Sequence, residues 1–172
     1  TQINPTTKYR SNCGFAILEE FNSSSQIFTD DIDGNTNTAI EITSQDAFEG
    51  TSGKIVLTET NPSIIFGSDI DRNNLTNLPN NGTAVWLEVN FKGDTEIIFG
   101  VIGIDEFGNP ESFPEFGINR TADWNKVYFD LSQLVQDQRY VAFQIFGGAS
   151  LPSNATEATI LLDNIKLVYF EF

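Results

Sequence analysis

The most constraining feature of the sequence is its repeated alternation of short apolar segments with turn-forming clusters. Segments rich in Val, Ile, Phe and Tyr are separated by Gly, Asn, Asp, Ser and Pro, a pattern typical of β-strands joined by loops. Helical periodicity is nearly absent, and only 131–136 suggests a helical turn. Strands are predicted at 15–21, 40–43, 54–60, 84–91, 96–104, 126–130, 141–146 and 160–170. Many short strands predict an all-β fold, a two-sheet antiparallel β-sandwich of the jelly-roll type.

Length and charge limit the organisation of the chain and its partners. With 172 residues, the chain is large enough for one domain with its own core. We expect residues 1–14 to form a polar leader and residues 15–172 to form a single domain. There are 9 basic side chains and 24 acidic ones, for a net charge of -15. Because nucleic acids and anionic membranes bind clustered Lys and Arg, neither is expected as a partner.

Residue types that common catalytic sites need are missing. The chain has no His, which removes the commonest general base and every Ser-His-Asp triad. The single cysteine, Cys13, cannot form an internal disulfide and is expected to be a small buried apolar residue. In the acidic pairs Glu19–Glu20 and Asp105–Glu106, adjacent strand residues point to opposite faces, so neither pair forms a dyad. We therefore expect that the protein is not an enzyme.

The sequence also contains no Met and no apolar run long enough to span a bilayer. We therefore expect a processed mature protein or an excised domain, from which any signal peptide has been removed.

Alternation along the predicted strands separates a core face from an outer face. In 84–91, the expected core residues are Val85, Leu87, Val89 and Phe91. In 141–146, they are Val141, Phe143 and Ile145. Trp124 opens a predicted strand and is expected to plug the end of the core. The outer positions combine aromatic rings with amides and carboxylates: Trp86, Glu88, Asn90, Tyr128, Gln144 and Phe146.

An outer face of that kind suits a sugar. The apolar side of a pyranose stacks on an aromatic ring, while amides and carboxylates pair with the hydroxyl groups. We expect Trp86 to be the stacking plate on one sheet face, with Tyr128 or Phe146 as a second platform. The expected hydroxyl partners are Glu88, Asn90 and Gln144. In the alternative interpretation, Trp86 is half-buried under a loop.

Several segments together resemble the carbohydrate-binding-module-like, galactose-binding-like jelly rolls of secreted bacterial proteins, especially surface lipoproteins of Bacteroidetes. The segments lie at 17–22, 46–55, 86–89, 124–132 and 161–167. The resemblance covers nearly the whole chain from Phe15. It implies a non-catalytic domain, extracellular or at the cell surface, that binds a polysaccharide or another glycan.

The family that the chain resembles often carries one structural calcium ion (Ca²⁺). The resemblance implies Glu20, Asp46 (partly through carbonyl groups) and Asp163 as its ligands. The chain departs from the family at Asn22, where many relatives have Glu after Phe. Asp163 lies in an otherwise apolar strand, where an unpaired carboxylate would cost several kcal/mol. Either a cation or a hydrogen-bonding loop must satisfy Asp163, and both remain open at this point.

Two other functions are also open. The first is a structural or accessory lipoprotein subunit of an outer-membrane complex without a glycan site, since this fold also serves in assembly. It would have outer-membrane or cell-surface proteins as partners. The second is an enzyme whose two carboxylates come from different strands and lie about 5 to 9 Å apart in a cleft. An open Trp86 ring favours glycan binding, and a loop-covered ring favours the accessory protein.

Overall fold

The computed structural model describes residues 12–22, 29–30, 38–71 and 82–171. These residues contain twelve strands and one short helix: β1 (Asn12–Glu19), β2 (Thr29–Asp30), β3 (Ile40–Thr43), β4 (Ser52–Thr58), β5 (Ser63–Asp71), β6 (Val85–Gly93), β7 (Ile97–Asp105), β8 (Pro110–Ser112), β9 (Phe116–Ile118), β10 (Thr121–Asp130), α1 (Ser132–Gln136), β11 (Tyr140–Ser150) and β12 (Glu157–Glu171). Within these ranges, no helix has the length and apolar character that crossing a membrane requires.

The strands form two antiparallel sheets. The first sheet has the order β10-β6-β12-β4-β3, and β1 pairs with the C-terminal half of β12. The second sheet has the order β2-β5-β11-β7-β8, and β9 pairs with β7 beside β8. β3 pairs with the next strand β4, and β7 with the following β8 and β9, but the central pairs β6–β12, β5–β11 and β7–β11 join distant parts of the chain. The predicted all-β, two-sheet jelly-roll sandwich is therefore confirmed.

The core lies between the two sheets and is built from alternate residues of each strand. All four residues predicted to face inward from β6 are buried: Val85, Leu87, Val89 and Phe91. Aromatic rings supply much of the core, because a buried Phe removes a large apolar area from water. Five of them are at most 1% exposed: Phe21, Phe66, Phe91, Phe99 and Phe143.

The predicted position of Val141 is wrong. Phe143 and Ile145 are buried as expected, but Val141 is exposed. The register of β11 against β7 shifts between Tyr140 and Ala142. This irregularity turns Tyr140 inward in place of Val141, as a β-bulge does.

Cys13 and Trp124 also lie outside the core, against expectation. Cys13 is exposed, because it shares the outer side of β1 with Phe15. Trp124 is half-buried on β10, and its ring meets that of Phe48 edge-on at 5.8 Å between centroids. β1 begins at Asn12, so three residues of the predicted leader belong to a strand, and residues 1–11 lie outside the described residues.

All eight predicted strands and the helical turn are present, but β2, β5, β8 and β9 were not predicted. β5 escaped prediction because Gly67, Ser68 and Asp69 interrupt its apolar run with residues typical of turns.

Candidate functional site

The six residues predicted to share one glycan-binding face lie on opposite sides of the sandwich. Trp86, Glu88 and Asn90 of β6 and Tyr128 of β10 belong to the outer surface of the first sheet, the first-sheet face. Gln144 and Phe146 of β11 belong to the outer surface of the second sheet, the second-sheet face. The prediction of one shared face is therefore wrong. Alternation identifies the outer side of each strand but not the sheet that the strand joins.

Trp86 is half-buried on the first-sheet face. Its ring meets that of Phe170 edge-on, with 5.6 Å between centroids and an interplanar angle of 89°. Phe170 lies near the end of β12, so this neighbour of Trp86 is a strand residue and not a loop residue. Trp86 is thus neither the open plate of the first interpretation nor simply the loop-covered ring of the second.

Glu88 and Asn90 are buried, 4% and 0% exposed, so the expectation that they lie open to hydroxyl groups is wrong. The Glu88 carboxylate pairs with Lys126 and Lys166, each at 3.0 Å between Nζ and Oε1. Burial alone would raise the pKa of Glu88, but hydrogen bonds from Tyr128 and the two lysines outweigh it and hold that pKa below its ordinary value. Glu88 is therefore occupied by Tyr128 and the two lysines. Asn90 instead donates a hydrogen bond from Nδ2 to the carbonyl oxygen of Asn164 at 3.4 Å.

Exposed apolar side chains continue across the first-sheet face to β1. Phe15 is 59% exposed and Ile17 is 46% exposed. The Lys166 Nζ lies 5.6 Å from the centroid of the Phe15 ring, within reach of a cation–π contact. Tyr128 is exposed on the same face. This face therefore combines open apolar residues with a paired, buried polar centre.

Phe146 occupies a different environment on the second-sheet face. In the sheet register it stands between Gly67 of β5 and Gly100 of β7. A Cβ atom built on Gly100 would overlap the Phe146 ring, so the ring lies across the position where a side chain of Gly100 would be. Because Gly67 and Gly100 have no side chains, the ring rests along the sheet surface and remains only half-buried.

An open groove of about 640 Å³ runs along the second-sheet face beside Phe146. Apolar residues of the three central strands line it, among them Ile65, Ile98, Phe146 and Gly148. Two carboxylates, those of Glu96 and Glu115, also line it. Ser63, Thr95 and Ser150 add further polar groups, so the walls are mixed, and the volume lies within the range of small-ligand sites.

Gln144 lies on the same side of β11 as Phe146, two residues earlier and opposite Ile102 of β7. It is half-buried. Of the predicted residues, the structure thus brings Gln144 and Phe146 together and leaves the other four on the far side.

Sequence reasoning missed the groove residues Ile65, Ile98, Glu96 and Glu115. The signal that was present is the glycine pattern. Gly100 interrupts the apolar run of β7, and an isolated Gly in a strand marks a close approach by another group. Here the approaching group is the Phe146 ring.

Asp163 is fully buried and accepts hydrogen bonds from backbone N–H groups. The Glu49 N–H donates at 2.9 Å and the Asn164 N–H at 2.7 Å. Burial raises the pKa of Asp163 above its ordinary value, although these N–H groups oppose the shift. The hydrogen-bonding loop, one of the two solutions open from the sequence, is therefore observed around Asp163.

The three predicted calcium ligands do not gather into a carboxylate cluster. Among residues 12–22, 29–30, 38–71 and 82–171, no group of three or more Asp, Glu or Cys is placed to hold a metal ion. The Asp46 carboxylate pairs with Lys92, and this contact holds the pKa of Asp46 below its ordinary value. Glu20 is half-buried after β1. Calcium prefers several carboxylate oxygens, which this arrangement does not offer, and the ion stays a prediction.

The architecture is similar to several solved structures. The xylan-binding CBM22-1 domain of Paenibacillus barcinonensis Xyn10C matches with a TM-score of 0.57 at 14% identity, over 91% of this chain and 96% of that domain. The family 11 carbohydrate-binding module of Clostridium thermocellum Lic26A-Cel5E matches with a TM-score of 0.57 at 16% identity, over 90% and 94%. A family 30 carbohydrate-binding module matches with a TM-score of 0.58 at 12% identity, over 90% and 98%. The fold is that of the carbohydrate-binding-module jelly rolls.

No protein-family model matches the sequence, and no curated protein matches it. The likeness is therefore one of structure at low sequence identity, and the carbohydrate-binding-module jelly roll is established here as a fold.

Proposed function

We propose that the protein is a non-catalytic glycan-binding domain and that the glycan lies in the groove of the second-sheet face. The observation that carries this proposal is the placement of Phe146 across Gly100, which leaves an aromatic ring lying along the sheet beside an open groove. The apolar side of a sugar ring stacks on such a surface. The similarity to a domain described as xylan-binding and to a module solved in complex with a β-1,3-1,4-mixed-linked tetrasaccharide supports the same class of ligand.

The groove offers a sugar chain both apolar and polar contacts. Ile65 and Ile98 extend the apolar surface on either side of β11, and Ile98 is 41% exposed. Gln144 lies on the same face of β11, two residues before the groove-lining Phe146, where its amide would serve as a hydroxyl partner for a sugar that extends beyond the groove. An open groove suits a polysaccharide chain better than a fully enclosed cavity would.

The first-sheet face is the weaker candidate for a glycan. Trp86 packs edge-on against Phe170, and Glu88 is occupied by two lysines. A sugar bound there would have to displace these contacts before it gained its own. We therefore place Trp86, Glu88 and Asn90 in the structural framework, and the proposed ligand residues are Phe146 and Gln144.

A catalytic role for the groove carboxylates is not proposed. A general acid is kept protonated by an apolar enclosure, whereas Glu96 and Glu115 are both exposed. The proposed ligand is a polysaccharide, and the proposed location is extracellular or at the cell surface, where such ligands occur.

A second candidate function is protein contact through the first-sheet face. Phe15, Ile17 and Phe170 are exposed together there, and contiguous exposed apolar residues mark interaction surfaces. This is the accessory-subunit function. It predicts no glycan binding, and it predicts a protein contact that Phe15→Ser weakens and Phe146→Ala leaves unchanged.

The experiment is a polysaccharide array with the wild-type protein and Phe146→Ala, together with an assay for released reducing ends. We expect saturable wild-type binding to one polysaccharide class, at least about tenfold weaker binding by the variant, and no released ends. A silent array would overturn the proposal and favour the accessory-subunit function. Release of reducing ends would instead favour an enzyme.

A further inference from the structure

Charge is distributed unequally between the two faces. In the described part of the chain, no Lys or Arg lines the groove of the second-sheet face, whereas Glu96 and Glu115 do. Every Lys of the described residues belongs to the first sheet: Lys54, Lys92, Lys126 and Lys166. The groove is therefore locally acidic as well as part of a chain with a net charge of -15.

The Glu96 side chain lies over the neighbouring strand β9 at the groove. One of its carboxylate oxygens lies 2.7 Å from the point where a Cβ atom of Gly117 would stand. Gly117 pairs with Ile98 on β7, so the Glu96 carboxylate lies over β9 next to an apolar lining residue. Any side chain at Gly117 would push it away.

Glu115 precedes β9 and lines the same groove. Within the described residues, neither Glu96 nor Glu115 forms a salt bridge. No Lys or Arg of the described ranges thus pairs with their charges, whereas two lysines pair with Glu88 on the opposite face.

We propose that Glu96 and Glu115 are specificity-determining residues that exclude uronic-acid polysaccharides, so that the groove accepts uncharged glycans. This inference rests on the proposed function. A uronate carboxylate placed in the groove would meet two carboxylates and, among the described lining residues, no compensating cation, and like-charge contacts at an interface are unfavourable. An uncharged sugar avoids this repulsion. Discrimination of this kind depends on a repulsive contact as well as an attractive one.

The test compares polymers that share a backbone and differ in charge. Affinity gel electrophoresis would use hydroxyethyl cellulose against carboxymethyl cellulose, and arabinoxylan against glucuronoxylan. For the wild-type protein we expect at least about tenfold stronger retardation by the uncharged member of the pair that binds, at low salt. The difference should narrow as salt rises, because exposed charges are screened.

The decisive variant is Glu96→Gln combined with Glu115→Gln. It should bind the uncharged polymer within about twofold of wild type and should bind the anionic polymer at least about fivefold better than wild type does. The matched control is Glu59→Gln combined with Glu157→Gln, which changes the net charge equally at two exposed positions of the first sheet or its loops. This control should leave the discrimination unchanged.

The outcomes separate the inference from the proposed function. If the wild-type protein bound the two polymers equally, the charge selectivity would be overturned. If Phe146→Ala also lost both interactions, the glycan site in the groove would still be supported. If the groove variant and the control gained equally in their binding of the anionic polymer, the charge selectivity would also be overturned. The total charge of the protein would then be responsible. Binding of neither polymer in either pair, with a silent array, would overturn both proposals.

Discussion

The two outer faces of the sandwich show how neighbouring strands decide what an aromatic residue can do. Trp86 and Phe146 both occupy outer positions on inner strands. Trp86 stands opposite Asp130 and Val168 and packs edge-on against Phe170. Phe146 has Gly67 and Gly100 as its partners. Side chains on both flanks hold the first ring within a packed surface, whereas the glycines let the second ring lie along the sheet.

The polar groups differ in the same way. On the first-sheet face, Glu88 is buried and paired with two lysines. On the second-sheet face, Glu96 and Glu115 are exposed and line an open groove. The comparison indicates that the first face is stabilised by its own side-chain contacts and that the second is open to a ligand. The following changes test that distinction.

Filling the groove should have the largest effect on binding. A Cβ atom at Gly148 would have Ile64 O as its nearest neighbour at 3.7 Å, an ordinary contact, so a strand-favouring side chain fits the backbone and projects into the groove. Gly148→Val should weaken glycan binding by at least about 100-fold, or about 2.7 kcal/mol, with a nearly unchanged melting temperature. Titration calorimetry and thermal melting measure both, and Gly148→Ala should have a smaller effect. Wild-type affinity in Gly148→Val would mean that the glycan binds elsewhere.

Truncating Trp86 should have the opposite profile. Trp86→Ala removes a half-buried ring and its contact with Phe170, so we expect a loss of about 2 kcal/mol in the free energy of unfolding. Glycan affinity should stay within about twofold of wild type. Denaturant unfolding and calorimetry give the two quantities. If Trp86→Ala kept its unfolding free energy but lost glycan binding, the binding site would lie on the first-sheet face.

Most strands and their outer sides could be predicted from the sequence, but the arrangement of the strands in the sheets could not. Alternation placed Phe146 and Trp86 on outer surfaces, because side chains alternate with a period of two. It could not show that Gly67 and Gly100 flank Phe146, since this register joins segments far apart in the chain. The bulge at Tyr140 was also unpredictable, because it depends on pairing with β7. The groove residues were unpredictable for the same reason, since the pairing of β11 with β5 and β7 brings them together.

Two buried carboxylates of the first sheet, Glu88 and Asp163, should change the pH dependence of stability in opposite directions. The pKa of Glu88 is lowered in the folded state, so its contribution is present above the ordinary pKa of 4.5 and is lost as the pH falls through the folded value. The difference in unfolding free energy between wild type and Glu88→Gln should therefore shrink below about pH 4.5. Urea unfolding at several pH values measures it, and a constant difference would contradict the ion-pair account.

Asp163 should show the opposite sign. Its pKa is raised by burial, so the folded state binds the proton more readily than the unfolded state, and its unfavourable contribution is relieved as the pH falls through the raised value. In Asp163→Asn this part of the pH dependence should be absent. The mutant should therefore be more sensitive to acid than the wild type, and a mutant that is less sensitive would show that the carboxylate is stabilised in its charged form.

Chelation should have the smallest effect. The Asp163 carboxylate accepts backbone N–H groups and Asp46 pairs with Lys92, so treatment with a chelator should leave the melting temperature unchanged. A drop that added Ca²⁺ reverses, and that Asp163→Asn abolishes, would establish the calcium ion and its ligand.

The central claim is that the glycan lies on the second-sheet face, and amide chemical-shift mapping tests it most directly. The ¹⁵N-labelled protein would be titrated with an oligosaccharide of the polysaccharide that binds most strongly on the array. The account predicts saturable shifts centred on the groove-lining residues Ile98, Phe146 and Gly148. Shifts centred on Trp86 and Tyr128 would contradict it and would place the site on the first-sheet face.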